Sequence, residues 1–397
     1  MPQPPNIDSQ LNDAQLSWEH GTGPARLSAQ ISAGIDANSN KHINVEYEFY
    51  RDQGGTKIRA ALHGTRVSLQ APVGLAPATI AKPWGEELWY TGMETRGESQ
   101  VELPGTGGGA TLPLSSYLAL APERLCRRQP MVLLKILAPR ADPVLGDLYL
   151  EAHAHKQEVY VVTQVDRSAW PDGKGAIRMG INQQLRRQFD SDQAFRSAYL
   201  DAVRAYEKVR RAIDDGILDP ADSAPAESSA RKEMNRFTSL LPLRVGDVVN
   251  VPPWLPHSLQ HGVRVIEYQS PTYERLVIAF AQRVVTQSEW DSAAAIEHLN
   301  LEPPAQAPVE SITPEIQRIA SFSDFSTWRI HLEPGATLEL PLDLPYAVCM
   351  TAYGSVTVNG MQREAEQACL VPHGALPVKL VNPTNAPAMC LAASAPS

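Results

Sequence analysis

The sequence lacks a basic excess, a cysteine framework and a long apolar run. Its net charge of −9 provides no positive field to hold nucleic acid or anionic lipid. No stretch approaches the roughly 20 apolar residues needed to span a bilayer, and the N-terminus has neither a basic start nor an apolar run. We therefore expect a cytoplasmic protein that binds neither nucleic acid nor membranes.

Cysteine is also scarce, and the four residues present are widely spaced, with no Cys-x-x-Cys pair. This spacing argues against a disulfide framework and against a thiolate zinc site. We expect all four to be reduced residues of the core: Cys126, Cys349, Cys369 and Cys390.

The 397 residues suffice for two or three domains. Residues 1 to about 15 are polar and rich in proline, which predicts a loose tail. Residues 27–76 alternate apolar and polar side chains, a pattern typical of antiparallel strands with one wet face, and a turn at 53–55 can join two of them. The proline-rich stretch 301–311 is the best linker candidate. Short strands separated by glycine turns follow it, a pattern typical of a second jelly roll.

Two other stretches are read from composition and periodicity. Apolar residues recur at helical spacing between Phe195 and Ile213, after a possible cap at Ser191 and before Gly216, which predicts one amphipathic helix. A polar loop and a short helix are expected after it. Glycines at 105–109 lack the Gly-Lys-Ser/Thr ending of a phosphate loop, so we expect a flexible loop there.

A metal site is indicated by alternating acid and imidazole side chains. Glu151, His153 and His155 would point to one face of an extended strand, because side chains repeat every second residue. If the next two residues form a hairpin tip, Glu158 faces His155 at roughly 5 Å. A distant segment supplies His257 between two strand patterns. Three imidazoles and one carboxylate suit zinc, iron, nickel or manganese better than magnesium or calcium.

At these residues the chain resembles the cupin superfamily and, within it, the type I mannose-6-phosphate isomerases. The resemblance runs in order over roughly residues 82 to 397. Two departures stand out: His153 occupies the place of a glutamine ligand, and Pro271 that of an aspartate. Residues 153–155 match the family's Gln-x-His, and residues 156–162 match its Lys-x-Glu and the strand that follows. Residues 246–257 match its stretch from Gly-Asp to Pro-His, and residues 270–275 match its Ser-Asp-x-Thr-x-Arg region.

The resemblance implies a mainly β fold built on a cupin jelly roll. The implied order is an N-terminal β-rich segment (1–80), a first part of the metal-binding cupin (81–182), a helical insertion (183–236), the second part of that cupin (237–300) and a second, degenerate C-terminal cupin domain (301–397).

The implied activity is metal-dependent aldose–ketose isomerisation of a phosphorylated hexose, mannose 6-phosphate to fructose 6-phosphate. The implied partners are a sugar phosphate and one divalent ion, with zinc expected first and iron, manganese or nickel as alternatives. A cupin enzyme of another class, either an isomerase of a non-phosphorylated sugar or an oxygenase, remains open, as does a binding module without chemistry. The site residues are His153, His155, Glu158 and His257 for the metal, Arg275, Lys156 and Glu267 for catalysis, and Lys135 and Gln269 for substrate. His261 and Glu274 are further candidates for the proton-transfer base.

Overall fold

The structure is a computed structural model that describes residues 6–36, 38–62, 64–103, 110–284, 287–304 and 309–396. The described chain divides into two compact units, one of residues 6–80, 88–135 and 309–396, the other of 81–87 and 136–304. The expected boundaries differ from this grouping, because residues 88–135 belong with the N- and C-terminal segments. The glycine stretch 105–109 and part of the expected linker at 301–311 lie outside the described residues.

The chain is mainly β, as predicted, and most strands of the first unit are antiparallel. One four-stranded sheet is formed by Arg26–Ala33, Lys41–Asp52, Gly55–Leu62 and Thr65–Ser68, with Asp52 opposite Gly55 at the expected turn. A nine-stranded sheet has the order Thr111–Pro113, Gln100–Glu102, Val73–Ala76, Ala368–Pro372, Tyr346–Tyr353, Ala388–Ser394, Ser326–Leu332, Ile316–Ser321 and Glu310–Ser311. A second four-stranded sheet comprises Thr337–Glu339, Lys379–Val381, Ser355–Val358 and Met361–Glu364, and a short ribbon Met93–Glu94 and Gly97–Glu98.

The C-terminal strands share one apolar core with three of the four cysteines. Cys349, Cys369 and Cys390 are at most 1 % exposed and lie among aliphatic side chains of these sheets. Cys126 is buried as well, and all four thiols are free. The structure therefore agrees with the expectation of reduced core residues.

The loose tail expected for residues 1 to about 15 is wrong from residue 7 onward, because a helix spans Ile7–Glu19, and residues 1–5 lie outside the described residues. Asn6 caps it by accepting a hydrogen bond from the Ser9 amide, and Leu11 is fully buried. Asp8 is 5 % exposed and accepts hydrogen bonds from the Glu123 amide and the Arg128 guanidinium. The other helical segments of this unit are Leu114–Ala119, Pro122–Cys126 and the short 3-10 turn His373–Ala375.

Replacing Asp8 with alanine is expected to lower the free energy of unfolding by about 2 kcal/mol, because a buried carboxylate and two charge-assisted hydrogen bonds are lost. Urea denaturation measures the change. Asp13, an exposed acid on the same helix, provides the matched control, and Asp13→Ala should change the free energy by less than about 0.5 kcal/mol. Equal effects of the two substitutions would show that the helix is not anchored through Asp8.

The second unit is built on two sheets that share one core. The five-stranded sheet has the order Thr238–Leu243, Gly175–Ile181, His257–Leu259, Leu150–Ala152 and Leu276–Ala279. The six-stranded sheet has the order Val248–Val251, Glu158–Val165, Val263–Gln269, Leu133–Pro139, Gly85–Trp89 and Ala78–Lys82, of which the first three strands lie wholly in this unit. One cluster of buried apolar residues takes members from both sheets, including Ile177, Leu259, Tyr160 and Val265. The two sheets therefore pack face to face, which defines the interior in which the candidate site lies.

The predicted insertion is helical and covers the other face of the five-stranded sheet. The long helix Asp192–Asp214 begins at Ser191, whose hydroxyl accepts from the Ala194 amide, as predicted. A second cluster joins its buried aromatic residues to Leu150, Ala152 and Ile278 of the sheet. The helix after it is longer than predicted, at Pro220–Asn235, because Asp219 caps it and a proline starts it. The shorter helices of this unit are Gln183–Arg186 and Ser292–His298.

No helix in the described ranges combines the length and apolar character needed to cross a membrane.

Candidate metal centre

The two sheets bring acid and imidazole side chains from four segments into the interior of the second unit. Glu151 lies directly opposite His257 on neighbouring strands of the five-stranded sheet. Glu158 starts a strand of the other sheet. His153 lies between these strands, in the segment 153–157 that crosses from one sheet to the other. The site is therefore assembled across the core, although three of its members are close in sequence.

The crossing explains why the expected hairpin does not form. The strand that contains Glu151 ends at Ala152, and Glu158 pairs with Val251 and Gln269 instead of His155. Beyond the strand end the period of two no longer applies, so His155 is exposed to solvent while His153 is 1 % exposed. The shared face predicted for Glu151, His153 and His155 is thus found for the first two only.

Glu151, His153 and His257 each offer a ligand atom, and these atoms lie within 4.8 Å of one another. Glu151 Oε1 is 3.3 Å from His153 Nε2 and 3.9 Å from His257 Nε2. Glu158 Oε2 is 3.2 Å from His257 Nε2 and 4.0 Å from His153 Nδ1. With zinc–ligand bonds of about 2.1 Å, two tetrahedral ligand atoms are roughly 3.4 Å apart. The separations among Glu151, His153 and His257 therefore fit one small divalent ion, and Glu158 lies next to this group.

Unpaired buried atoms support the same assignment. His153 Nδ1, His257 Nε2 and Glu151 Oε2 are buried without a hydrogen-bond partner within the described part of the chain. His257 Nδ1 lies 3.0 Å from the Leu255 carbonyl oxygen, so this nitrogen carries a proton, and Nε2 is the atom directed at Glu158, 3.2 Å away. Because buried polar atoms are normally paired, the orphaned atoms indicate a ligand in this position.

The electrostatics keep His153 and Glu151 in the protonation states that bind metal, and they hold His257 against two carboxylates. Burial, with the Lys156 charge acting in the same direction, lowers the pKa of His153 to about 4, so its ring is neutral at neutral pH. Burial would raise the pKa of Glu151, but the hydrogen bond with His153 and the Lys156 charge outweigh it and lower this pKa to about 2. Burial alone would lower the pKa of His257, whereas Glu158 and Glu151 raise it, which shows that two carboxylates face this ring.

Glu158 is held by two further side chains. Lys156 Nζ is 2.6 Å from Glu158 Oε1, and the Tyr160 hydroxyl donates to Glu158 Oε2 at 2.6 Å. All three residues are at most 6 % exposed. Burial opposes ionisation of Lys156, but Glu158 and Glu151 raise its pKa, so the ammonium remains charged. Burial and the Glu158 charge raise the pKa of Tyr160, so the phenol keeps its proton.

Glu274 fixes the crossing segment from a distance of 120 residues in the chain. Its Oε1 accepts from the Ala154 amide at 2.8 Å, and its Oε2 accepts from the amides of His155 and Lys156 at 2.8 and 3.0 Å. Sequence analysis named Glu274 only as a possible base. Its contacts identify it as the carboxylate that shapes the segment with His153 at one end and Glu158 just beyond the other.

Arg275 follows this carboxylate directly and lies at the edge of the site. Its guanidinium stacks on the ring of Tyr149 at 4.2 Å, and its Nε is 3.8 Å from Glu151 Oε2. The side chain is 20 % exposed, which leaves it accessible to a ligand. Sequence analysis did not single out Tyr149, since nothing in its immediate sequence marks a stacking partner.

The remaining expected residues fall in different places. Glu267 is 2 % exposed and lies opposite Tyr160 on the neighbouring strand. Gln269 is fully buried opposite Glu158, and its amide nitrogen donates to the carbonyls of Ser270 and Thr272. Glu267 therefore lines the interior, whereas the Gln269 amide nitrogen is engaged by the backbone.

Lys135 belongs to the first unit, where its ammonium lies 5.6 Å from the centre of the Trp89 ring. His261 is in the second unit, stacked on Trp170, with Nδ1 2.7 Å from Asp147 Oδ1. These contacts give both residues structural partners of their own.

Glu151 is a candidate ligand that sequence analysis left out of the metal set. The signal was available, because Glu151-Ala-His153 carries the same ligand-x-His spacing as His153-Ala-His155. Moving the motif by two residues places a carboxylate, and not a third imidazole, beside His153.

Comparison with known proteins agrees with the geometry at the level of fold. No protein-family model matches the sequence, and no curated protein matches it. Among solved structures, the chain is similar to apo mannose 6-phosphate isomerase from Salmonella typhimurium (TM-score 0.60, 11 % identity, 82 % of this chain and 100 % of that one). It is also similar to mannose 6-phosphate isomerase from Bacillus subtilis (0.56, 15 %, 82 % and 99 %) and to a mannose 6-phosphate isomerase bound with zinc and yttrium (0.59, 12 %, 81 % and 99 %). The resemblance predicted from the motifs is thereby confirmed for the fold, which is the cupin-like fold of the phosphomannose isomerases.

Proposed function

We propose that the chain is a metal-dependent aldose–ketose isomerase that interconverts mannose 6-phosphate and fructose 6-phosphate. The observation that carries the proposal is the buried group of two imidazoles and two carboxylates, flanked by Lys156 and Arg275, within this fold. The solved structures with the same fold include isomerases of this substrate.

The metal ligands in this proposal are Glu151, His153, Glu158 and His257. Two neutral nitrogens and two carboxylate oxygens suit a borderline divalent ion, and zinc is the first candidate. Such an ion would supply Lewis acidity to the sugar oxygens whose charge increases during isomerisation.

The surrounding residues can be given roles from their charge and accessibility. Isomerisation moves a proton between C1 and C2 of the sugar, so the site needs a proton carrier and a cation for the oxygen that becomes negative. Lys156 is buried and charged, so it serves as the cation and not as a base. Glu267 is a buried carboxylate close enough to Lys156 to raise the pKa of the lysine, and we assign proton transfer to it.

Arg275 is assigned to the substrate phosphate. A guanidinium binds a phosphate with two parallel hydrogen bonds, and this one is partly exposed at the edge of the site. Stacking on Tyr149 orients the Arg275 guanidinium, so little side-chain freedom is lost when phosphate binds. The substrate contacts expected of Lys135 and Gln269 stay predictions.

The proposal is tested with purified protein whose metal content is measured before a coupled assay for fructose 6-phosphate. We expect turnover of mannose 6-phosphate, its loss after chelation and its return when zinc is added. Mannose without the phosphate is the matched control and should react far more slowly, because the contact with Arg275 is absent. Metal-loaded protein that turns over neither sugar would contradict the proposal.

A second candidate is a cupin enzyme of another class, and one observation favours it. Glu151 gives the group two carboxylates, whereas the isomerase motif has a neutral glutamine ligand. An additional negative charge stabilises a more oxidised metal ion, as an oxygenase requires. Bound iron together with oxygen consumption would support this candidate and exclude the isomerase.

A further inference from the structure

A polar cavity lies in the second unit behind the strand His257–Leu259. Its volume is about 40 Å³, and its walls come from the five-stranded sheet and from the helices Asp192–Asp214 and Pro220–Asn235. Ser258 lines it, and His257 precedes this serine on the same strand. Because alternate side chains of a strand point to opposite faces, the cavity lies on the opposite side of the strand from the metal centre. It is therefore separate from the site described above.

Two guanidinium groups line this cavity and have unused hydrogen-bond donors. Arg178 donates through Nη1 to the Asn235 carbonyl at 3.0 Å and to the Thr238 hydroxyl at 3.2 Å. Its Nε and Nη2 donate to no acceptor among the residues that the structure describes. Arg231 makes no hydrogen bond within the same residues, and its Nε is 3.5 Å from Glu227 Oε1. Eight N–H groups on the two cations thus remain available, three from Arg178 and five from Arg231.

The carboxylates nearest these arginines already have partners. Asp147, which also lines the cavity, accepts hydrogen bonds from the amide and the ring Nδ1 of His261 at 3.0 and 2.7 Å. Glu227 accepts from the Tyr206 hydroxyl at 2.9 Å. Burial lowers the pKa of Arg178, Tyr199 and Asp147 act to raise it, and the Arg231 charge lowers it, so the two cations repel each other while Asp147 offsets part of their charge. An anion between them would remove this repulsion.

We propose that the cavity binds one small oxyanion of the phosphate type between Arg178 and Arg231. A water needs about 10–15 Å³ of such volume, so 40 Å³ holds about three waters or one small oxyanion. Arginine is the side chain best suited to oxyanions, because its fork of donors matches two oxygens at once. The occupant would also stabilise the strand that contains His257, because a ligand that binds only the folded state adds to its stability.

The test uses inorganic phosphate and the full-length, metal-loaded protein, with binding measured by titration calorimetry at constant ionic strength. Arg231→Gln removes one of the two cations without breaking a hydrogen bond within the described chain, so the fold should be unchanged. We expect this variant to bind phosphate at least tenfold more weakly, since hydrogen bonds to charged groups are lost. Arg236→Gln is the matched control, because Arg236 is exposed on the same helix end and pairs only with Glu233 by its side chain.

Arg275→Gln separates this cavity from the proposed substrate site. If the cavity is the binding site, Arg275→Gln keeps the phosphate binding that Arg231→Gln loses. The inference is overturned if Arg231→Gln binds phosphate with wild-type affinity, or if only Arg275→Gln weakens binding. A crystal grown in phosphate should show the anion between Arg178 and Arg231, and water alone in the cavity would also overturn it. Unfolding midpoints of all three variants verify that loss of binding is not loss of fold.

Discussion

Replacing His257 with alanine is expected to weaken metal binding by ~100-fold or more and to remove the proposed isomerase activity with it. The imidazole lies opposite Glu151 and 3.2 Å from Glu158, so the substitution removes the ring that lies next to both carboxylates. Changes outside the ligand set typically cost 10- to ~100-fold in metal affinity, and loss of a ligand should cost more. Competition with a chromogenic chelator measures the affinity directly.

His261→Ala is the control for this substitution. His261 is a histidine four residues further along the chain, and its ring contacts Asp147 and Trp170 instead of the ligand group. This variant should therefore retain wild-type metal affinity. If His257→Ala keeps its metal while His261→Ala loses it, the ligand group has been assigned to the wrong histidine.

Glu274→Gln is expected to weaken metal binding by ~10- to 100-fold and to destabilise the protein by about 2 kcal/mol, without changing any ligand. Both carboxylate oxygens of Glu274 accept amide hydrogen bonds, and in glutamine one of these oxygens becomes an NH₂ group that faces an N–H. The crossing segment then loses its fixed path and His153 its position. Metal affinity and urea denaturation measure the two effects separately.

Exposed Glu297 provides the control, since Glu297→Gln removes a negative charge at a surface position.

The pH dependence of stability gives a second readout for Glu274→Gln. Burial would raise the pKa of Glu274, but the three amide hydrogen bonds lower it below its usual value of 4.5. Its contribution to stability is therefore complete above about pH 4.5 and is lost as the pH falls through the lowered pKa. A stability difference between wild type and Glu274→Gln that persists unchanged at lower pH would contradict this role.

The sequence was informative where a pattern is local. Alternation predicted the N-terminal strands, and the spacing of apolar residues together with Ser191 predicted the helix Asp192–Asp214. The motif order predicted the fold that the comparisons support. Each of these features depends on residues that are neighbours in the chain, so their physical causes can be read from it.

The sequence was less informative where a distant residue decides the backbone path. The strand containing Glu151 ends at Ala152 because the chain then crosses to the other sheet, and Glu274 holds that crossing from the far end of the unit. His155 consequently faces solvent, and Glu151 lies beside His153 instead. The N-terminal helix was missed for a similar reason, because the contacts of Asp8 with Glu123 and Arg128 are remote in sequence.

The proposed metal ligands come from both sheets of the second unit, so metal binding should affect how these sheets separate. An ion bound by Glu151 and His257 of the five-stranded sheet and by Glu158 of the six-stranded sheet would link the two sheets. Separating the two sheets would then require release of the ion. We therefore expect the metal-bound unit to unfold as a whole, and the metal-free unit to open locally between its two sheets.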